Sequence, residues 1–386
     1  MYGFFYLNRL NIAPVIPLII VDLKLSYTQM GFITASFYGV YTFSQTLAGY
    51  LGDRLGPRKV ITLGGLCSAL SNLIFSQMGT LPLLLGLHAS NGVGQSGGWA
   101  PSVKLLVNWF PKEKLGFILG LFTTSISLFT VLAYLISGYL GQHFGWRIAF
   151  IFPSILLALL CLFYWITVRD FPSEVGLKGV HVSPLKRTVR GDFSLLIRNR
   201  QMWTAFLSAF CLLYIQYGGM VWFPTYLQGT FHTSVLKAGI LASVFPLMGI
   251  VARPLGGILS DRLFKGENKP LILIGMGIVI ISLMILSRTK DIRWVVFLMA
   301  LIGFSYQSFS FLIFTLPSRM LPPSLVSTGN GFLDTGGHLG SLMAMLISGW
   351  LIDHFKSYSA VLIVFWMIGL VGFFSVLLMK EERREP

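Results

Sequence analysis

The polar residues of this chain gather in short loops, and nearly every segment between those loops is an apolar run of about 18 residues or more. Such a run, coiled as a helix, crosses the roughly 30 Å of bilayer hydrocarbon and satisfies its own backbone hydrogen bonds there. The fold class that follows is all-α: a polytopic membrane protein. Composition agrees, because 54% of the 386 residues are hydrophobic and only 11% are charged, too few to cover a soluble surface of this size.

Twelve spans are predicted, at roughly 2–21, 29–52, 59–78, 82–109, 115–140, 147–168, 201–227, 236–260, 270–288, 293–317, 323–351 and 357–379. The long polar stretch, 169–200, divides six spans from six. The expected organisation is therefore an N-terminal bundle over 1–168, a linker over 169–200 and a C-terminal bundle over 201–386. Pro172, Gly176, Gly179 and Pro184 oppose a long helix at the start of the linker, and its tail from Asp192 to Arg200 suits a short amphipathic helix on the membrane surface.

The net charge of +15 does not point to nucleic acid, because the basic residues fall in loops and not along one face. Arg54, Arg58, Lys59, Lys112, Lys114, the 169–200 stretch, Arg262, Lys265, Lys269 and the 380–384 tail share one side. That side is expected to be the cytoplasm, with both termini in it, in an inner or plasma membrane. Arg288, Lys290 and Arg293 on the other side are outvoted. The first run lacks a charged n-region and a cleavage site, so it is expected to persist as a helix. Cys67, Cys161 and Cys211 lie in apolar runs, without disulfide or metal-ligand spacing. The sequence holds no nucleotide-binding Gly-Lys-Ser/Thr loop and no nucleophile-base order in a soluble segment. Neither an enzyme nor an ATP-driven pump is expected, and no cofactor or metal is called for.

One loop repeats. Gly49-Tyr-Leu-Gly-Asp53-Arg54-Leu-Gly56-Pro57-Arg58-Lys59 is echoed about 208 positions later by Gly257-Ile-Leu-Ser-Asp261-Arg262-Leu-Phe-Lys265-Gly266. Gly49 and Gly52 permit close helix approach, Gly56-Pro57 ends a helix, and the cations suit headgroups. The pattern resembles the loop signature of the major facilitator superfamily of membrane transporters, whose two six-helix halves hold a site near the midplane between them. Asp53, Arg54, Arg58, Asp261, Arg262 and, deeper in the eighth span, Arg253 are read as gate or latch residues. Arg253 aligns with Gln45 in the repeat.

A charge inside a span costs at least about 2.5–3.5 kcal/mol on insertion scales, so each one needs a partner or a purpose. Arg9 lies eight residues after Met1, about 12 Å along a helix, and so near the midplane. Its planar fork suits a carboxylate or phosphate; pairing within the protein is the other reading. Tyr6-Leu-Asn8-Arg9-Leu-Asn11, the stretch from Gly92 to Pro101, Trp109-Phe110-Pro111, the stretch from Arg169 to Leu177 and Trp222-Phe-Pro224-Thr-Tyr226 resemble two sister families. These are the organophosphate:phosphate antiporters and the anion:cation symporters of sugar acids and related anions. The resemblance implies an organic anion as substrate.

Two departures shape that expectation. Where the antiporters carry a second arginine in the seventh helix, this chain has Gln216, which favours a monoanionic carboxylate over a phosphate. Where the symporters often have an acid before the first-helix arginine, it has Asn8. Asp334 and His338, spaced i, i+4 after Asn330, are the candidate proton-coupling pair; permanent pairing of Asp334 with Arg9 or His338 is the alternative. Tyr38, Tyr41, Gln95, Trp99, Gln216, Tyr217, Tyr306 and Gln307 are candidate substrate contacts, with Gln45, His88 and Asn91 on the same faces. The expected function is alternating-access transport of a small carboxylate or sugar acid, with a co-transported proton or an exchanged anion and membrane lipid as the other partners. The chain is expected to be a monomer. Phosphate-ester exchange, or a transporter-like sensor of such an anion, stays open. The sister families have further residues before the first-helix arginine, so either a late start or a short first helix is expected.

Overall fold

The computed structural model describes residues 1–176, 193–262, 268–322 and 325–379. Among these the chain is helical throughout, and three of the expected spans are each broken into two helices. The first is α1 (Tyr2–Leu10) and α2 (Ile12–Leu23). α3 (Tyr27–Leu55) and α4 (Pro57–Phe75) follow unbroken. The fourth is α5 (Leu81–Ser96) and α6 (Trp99–Trp109). Then come α7 (Lys112–Phe144), α8 (Ile148–Thr167), a short α9 (Phe193–Arg198) and α10 (Arg200–Phe231). The eighth is α11 (Val235–Ala242) and α12 (Val244–Arg262). α13 (Asn268–Leu286), α14 (Ile292–Ile313), α15 (Pro317–Met320), α16 (Val326–Phe355) and α17 (Tyr358–Leu377) complete the order.

Proline accounts for the three breaks. Pro14, Pro101 and Pro246 have no N–H to offer the carbonyl four residues earlier, at Leu10, Gly97 and Ala242, which are the last residue of α1, the C-cap of α5 and the last residue of α11. Helix starts are capped by side chains: Ser26 and Gln29 form a capping box on α3, Asn199 caps α10, Ser234 caps α11 and Asp291 caps α14. Among the described residues nine helical segments are long and apolar enough to cross a bilayer on length and composition alone. The segments over 27–55, 57–75 and 81–109 are more polar or interrupted.

Two bundles, α1–α8 and α10–α17, meet along α3 with α16 and along α7 with α11 and α12. Their contact is densest at the end opposite the basic loops. There a Cβ on Gly349 would stand 2.3 Å from the carbonyl oxygen of Tyr27, and one on Gly239 would stand 2.7 Å from that of Tyr134. Asp353 accepts from Tyr27 N (3.2 Å), Thr28 N (2.6 Å) and Thr28 Oγ1 (2.6 Å), and the hydroxyls of Tyr27 and Tyr358 share a 2.7 Å hydrogen bond. Towards the basic loops the bundles part. α3 is mostly buried through Thr42 and then exposes Phe43, Leu47 and Tyr50, while α7 exposes Phe117 and Leu121. The cleft between the halves is sealed at the end opposite the basic loops.

Candidate functional site

Arg9 ends α1 at the floor of this cleft and is 3% exposed. Its guanidinium lies over the rings of Tyr6 (4.6 Å), Tyr41 (4.7 Å) and Phe37 (5.2 Å), an aromatic cage that favours a cation without neutralising it. Nε donates to Gln95 Oε1 at 2.8 Å. The two terminal nitrogens are buried and have no hydrogen-bond partner. A buried cation with two unmet donors is expensive, and a planar oxyanion presented to that edge removes the expense.

A pedestal of neutral amides and hydroxyls fixes the fork. Gln95 Nε2 donates to Asn91 Oδ1 (3.1 Å) and Ser68 Oγ (3.3 Å), and Ser68 donates to Asn91 Oδ1 at 2.6 Å. Asn72 Nδ2 donates to the Asn8 carbonyl (2.7 Å) and Asn91 Nδ2 to the same oxygen (3.3 Å). Asn8 Nδ2 reaches the Pro153 carbonyl at 3.0 Å, and Ser154 Oγ reaches Asn8 Oδ1 at 3.3 Å. Asn8 therefore ties α1 to α4, α5 and α8. No carboxylate belongs to the network, which leaves the charge of Arg9 for the cleft.

The second bundle supplies the facing wall. Tyr6 and Tyr217 share a hydroxyl hydrogen bond of 3.2 Å, and the Tyr38 ring packs on Tyr217 at 5.1 Å with its hydroxyl unpartnered. His338 lies against Tyr41 (4.9 Å) and Tyr217 (5.8 Å). Its Nε2 is 3.7 Å from Asp334 Oδ1, and its Nδ1 has no partner. Gly336, Gly337 and Gly340 face Phe206, Leu213 and the Phe210 carbonyl, so α16 lies close against α10. Beside this group, Gln216 Oε1 accepts from Tyr306 at 2.9 Å, and Gln307 Oε1 accepts from Arg253.

A model of the Major Facilitator Superfamily matches residues 1–341. The chain belongs to the major facilitator superfamily. It is 25% identical to a Chlamydia trachomatis protein described as "Probable hexose phosphate transport protein", over 89% of this chain and 81% of that one. It is 24% identical to a "Probable galactarate/D-glucarate transporter" of Bacillus subtilis (95% and 88% covered). It is also 24% identical to a "Probable sulfoacetate transporter" of Cupriavidus necator (93% and 86%). Among solved structures, a bacterial homologue of the human lysosomal transporter Spinster matches at a TM-score of 0.81 and 16% identity, covering 98% of this chain and 95% of that one. A D-xylose-proton symporter matches at 0.76 and 16%, covering 98% and 94%. The chain is an integral membrane transporter of this superfamily and not an enzyme, and relatives named for organic anions and hexose phosphates support an anionic cargo.

Within the superfamily fold the predicted residues fall into three places. Arg9, Tyr38, Tyr41, Gln95, Tyr217, Asp334 and His338 converge on the cleft floor, and Gln216, Tyr306, Gln307 and Arg253 adjoin them. Trp99 packs on Tyr2 (5.6 Å) and Phe122 (5.4 Å), one ring removed from Tyr6 of the cage. The repeated loop lies elsewhere: Asp53 ion-pairs with Lys104 at 2.8 Å, Arg54 lies over Tyr50 (4.8 Å), and Arg58 covers Trp165 (4.1 Å) and donates to its carbonyl. These contacts all stay within the first bundle. Gly56 (φ +91°) joins α3 to α4, with Asp170 Oδ2 2.3 Å from where a Cβ would sit and Asp170 Oδ1 accepting from Arg58 N at 2.7 Å. Arg262 is exposed; the side chain of Asp261, Lys265, most of the linker and the tail from Lys380 lie outside the described residues. The pedestal residues Ser68, Asn72 and Ser154 are functional groups that sequence reasoning passed over. Their signal is a buried amide or hydroxyl at mid-span depth, which becomes specific only once the helices are paired.

Proposed function

We propose that this transporter moves a small organic anion, a carboxylate or sugar acid, by rocking its two halves about Arg9, with a proton as the coupled ion. The observation that carries the reading is the pair of unpartnered, buried terminal nitrogens of Arg9, held edge-on to the cleft by Gln95. Tyr38, Tyr41 and Tyr217 supply hydroxyls for a polyhydroxylated cargo. Asp334 and His338, across the cleft from Arg9, are the proton-carrying pair: a carboxylate docked on Arg9 displaces Asp334 from the field of the guanidinium, and a proton taken up there restores charge balance in a dry site. The chain is read as twelve spans with the basic loops and both termini in the cytoplasm, so the cleft opens inward. The repeated loop acts as the latch on that side.

The relatives named for hexose phosphates favour a second reading, exchange of a phosphate ester for inorganic phosphate on the same arginine. Reconstitution in liposomes separates them. Uphill uptake of radiolabelled glucarate driven by an inward proton gradient supports symport. Uptake that needs internal phosphate and ignores the gradient supports exchange. No uptake under either condition, with the anion still bound by the purified protein, supports a sensor.

A further inference from the structure

Arg253 is a second cation at the depth of the site, and among the described residues it has no acidic partner. It lies on α12 nine residues before that helix ends at Arg262, and no carboxylate ion-pairs with it among the described residues. Its bonds go to neutral oxygens. Nε and Nη2 donate to Gln307 Oε1 at 3.2 and 3.1 Å, and Nη1 donates to the Thr123 carbonyl on α7 of the other half at 2.9 Å. Because Arg253 holds the oxygen of the Gln307 amide, the amide nitrogen is turned the other way. That nitrogen is buried and has no partner, on a side chain only 1% exposed. A second unmet donor adjoins it. Ser127 Oγ on α7, 1% exposed, stands 2.6 Å from where a Cβ on Gly249 would lie, and Gln307 Cδ stands 3.2 Å from the same point. Gly249 is one helical turn before Arg253, and its missing side chain lets Ser127 and Gln307 close in on that turn, so a free hydroxyl and a free amide N–H stand beside the guanidinium. Donors without acceptors around a permanent cation are the complement of an oxyanion.

This group is separate from the Arg9 cage but within reach of it. Gln307 follows Tyr306, whose hydroxyl donates to Gln216 at 2.9 Å, and the residue after Gln216, Tyr217, shares its hydroxyl hydrogen bond with Tyr6 of the Arg9 cage. We propose that Arg253, Gln307 and Ser127 form a second acid-binding subsite, and that the cargo is an organic anion with two separated acidic groups, one on Arg9 and one on Arg253. This rests on reading Arg9 as the anchor of the first group. It reverses the expectation, drawn from Gln216, that a single midplane arginine selects a monoanion. The second acid group also competes with the Thr123 carbonyl for Nη1, so occupying the subsite releases a hydrogen bond that spans the two halves.

Matched acids that differ only in the second acid group give the test. Affinities of gluconate against glucarate, and of propionate against succinate, are measured by titration calorimetry on the purified full chain, with Arg253→Gln, Arg253→Lys and Arg9→Gln checked for folding by their thermal transitions. The wild type is expected to bind the diacid of a pair about tenfold or more tightly than the monoacid. Arg253→Gln is expected to erase that ratio, and Arg253→Lys to keep part of it. A wild type with no diacid advantage in either pair, or an Arg253→Gln protein that keeps the ratio, overturns the proposal. If Arg9→Gln leaves both affinities intact, the Arg9 reading itself fails, whatever Arg253 does.

Discussion

Arg9 Nε donates to Gln95 Oε1 at 2.8 Å, while the two terminal nitrogens of the same guanidinium are buried without a partner. The first contact aims the fork and the second fact leaves it available. A positioning residue whose own amide is held by Asn91 and Ser68 separates orientation from charge. Gln95→Leu therefore keeps the cation and loses its aim. Losing one hydrogen bond to a charged group is worth about 1.5–3 kcal/mol, so affinity for the transported acid is expected to fall roughly ten- to a hundredfold with the fold retained. Titration calorimetry beside a thermal unfolding scan checks both halves of that statement.

Asp334 lies 3.7 Å from His338, whose ring packs on Tyr41 of the Arg9 cage. Asp334→Asn cannot take up or release a proton at that position. Uphill uptake in proteoliposomes driven by an inward proton gradient is expected to vanish, while exchange of labelled for unlabelled anion continues. Lower external pH should accelerate uptake by the wild type and leave the variant unchanged. Gradient-driven accumulation by Asp334→Asn would assign coupling to another residue.

The sealed end of the cleft depends on backbones in contact. A Cβ on Gly349 would approach the Tyr27 carbonyl to 2.3 Å, so Gly349→Val wedges α16 away from α3 and shifts the population towards the state open at that end. Val235, 9% exposed and packed against Gly138 and Gly141, reports on it. In a background lacking Cys67, Cys161 and Cys211, a Val235→Cys thiol is expected to label several-fold faster with a membrane-impermeant maleimide when Gly349→Val is present.

Gly56 occupies a left-handed φ of +91° under the Asp170 carboxylate. Gly56→Ala adds backbone strain of about 1–3 kcal/mol and pushes Asp170 off the Arg58 amide. A lower thermal transition is expected, with anion affinity unaltered, because the loop makes no contact with the cleft floor.

The bilayer explains which features could be read from the chain. An ionised side chain in an apolar run is conspicuous on its own, so Arg9, Arg253 and Asp334 are legible as single letters, as are the two halves and their repeated loop. The i, i+4 rule places Asp334 beside His338, and it holds because α16 is unbroken there. The same rule puts Trp99 with Gln95, but Pro101 breaks the helix at Gly97–Gly98 between them, and Trp99 packs on Tyr2 and Phe122. The rest of the amide pedestal is not legible: Ser68 and Asn72 lie on α4 and Ser154 on α8, and only helix packing brings them to Asn8, Asn91 and Gln95. The depth of Arg253 is visible in the sequence, but its neutral partners Gln307 and Thr123 are not.

The central claim is that the open edge of Arg9 receives the acid. Calorimetric titration of glucarate into purified Arg9→Gln protein, with its thermal transition matching the wild type, tests it most directly. Two charge-assisted hydrogen bonds are removed, and the account predicts a loss of affinity of about a hundredfold or more. An unchanged affinity in that folded variant would contradict it.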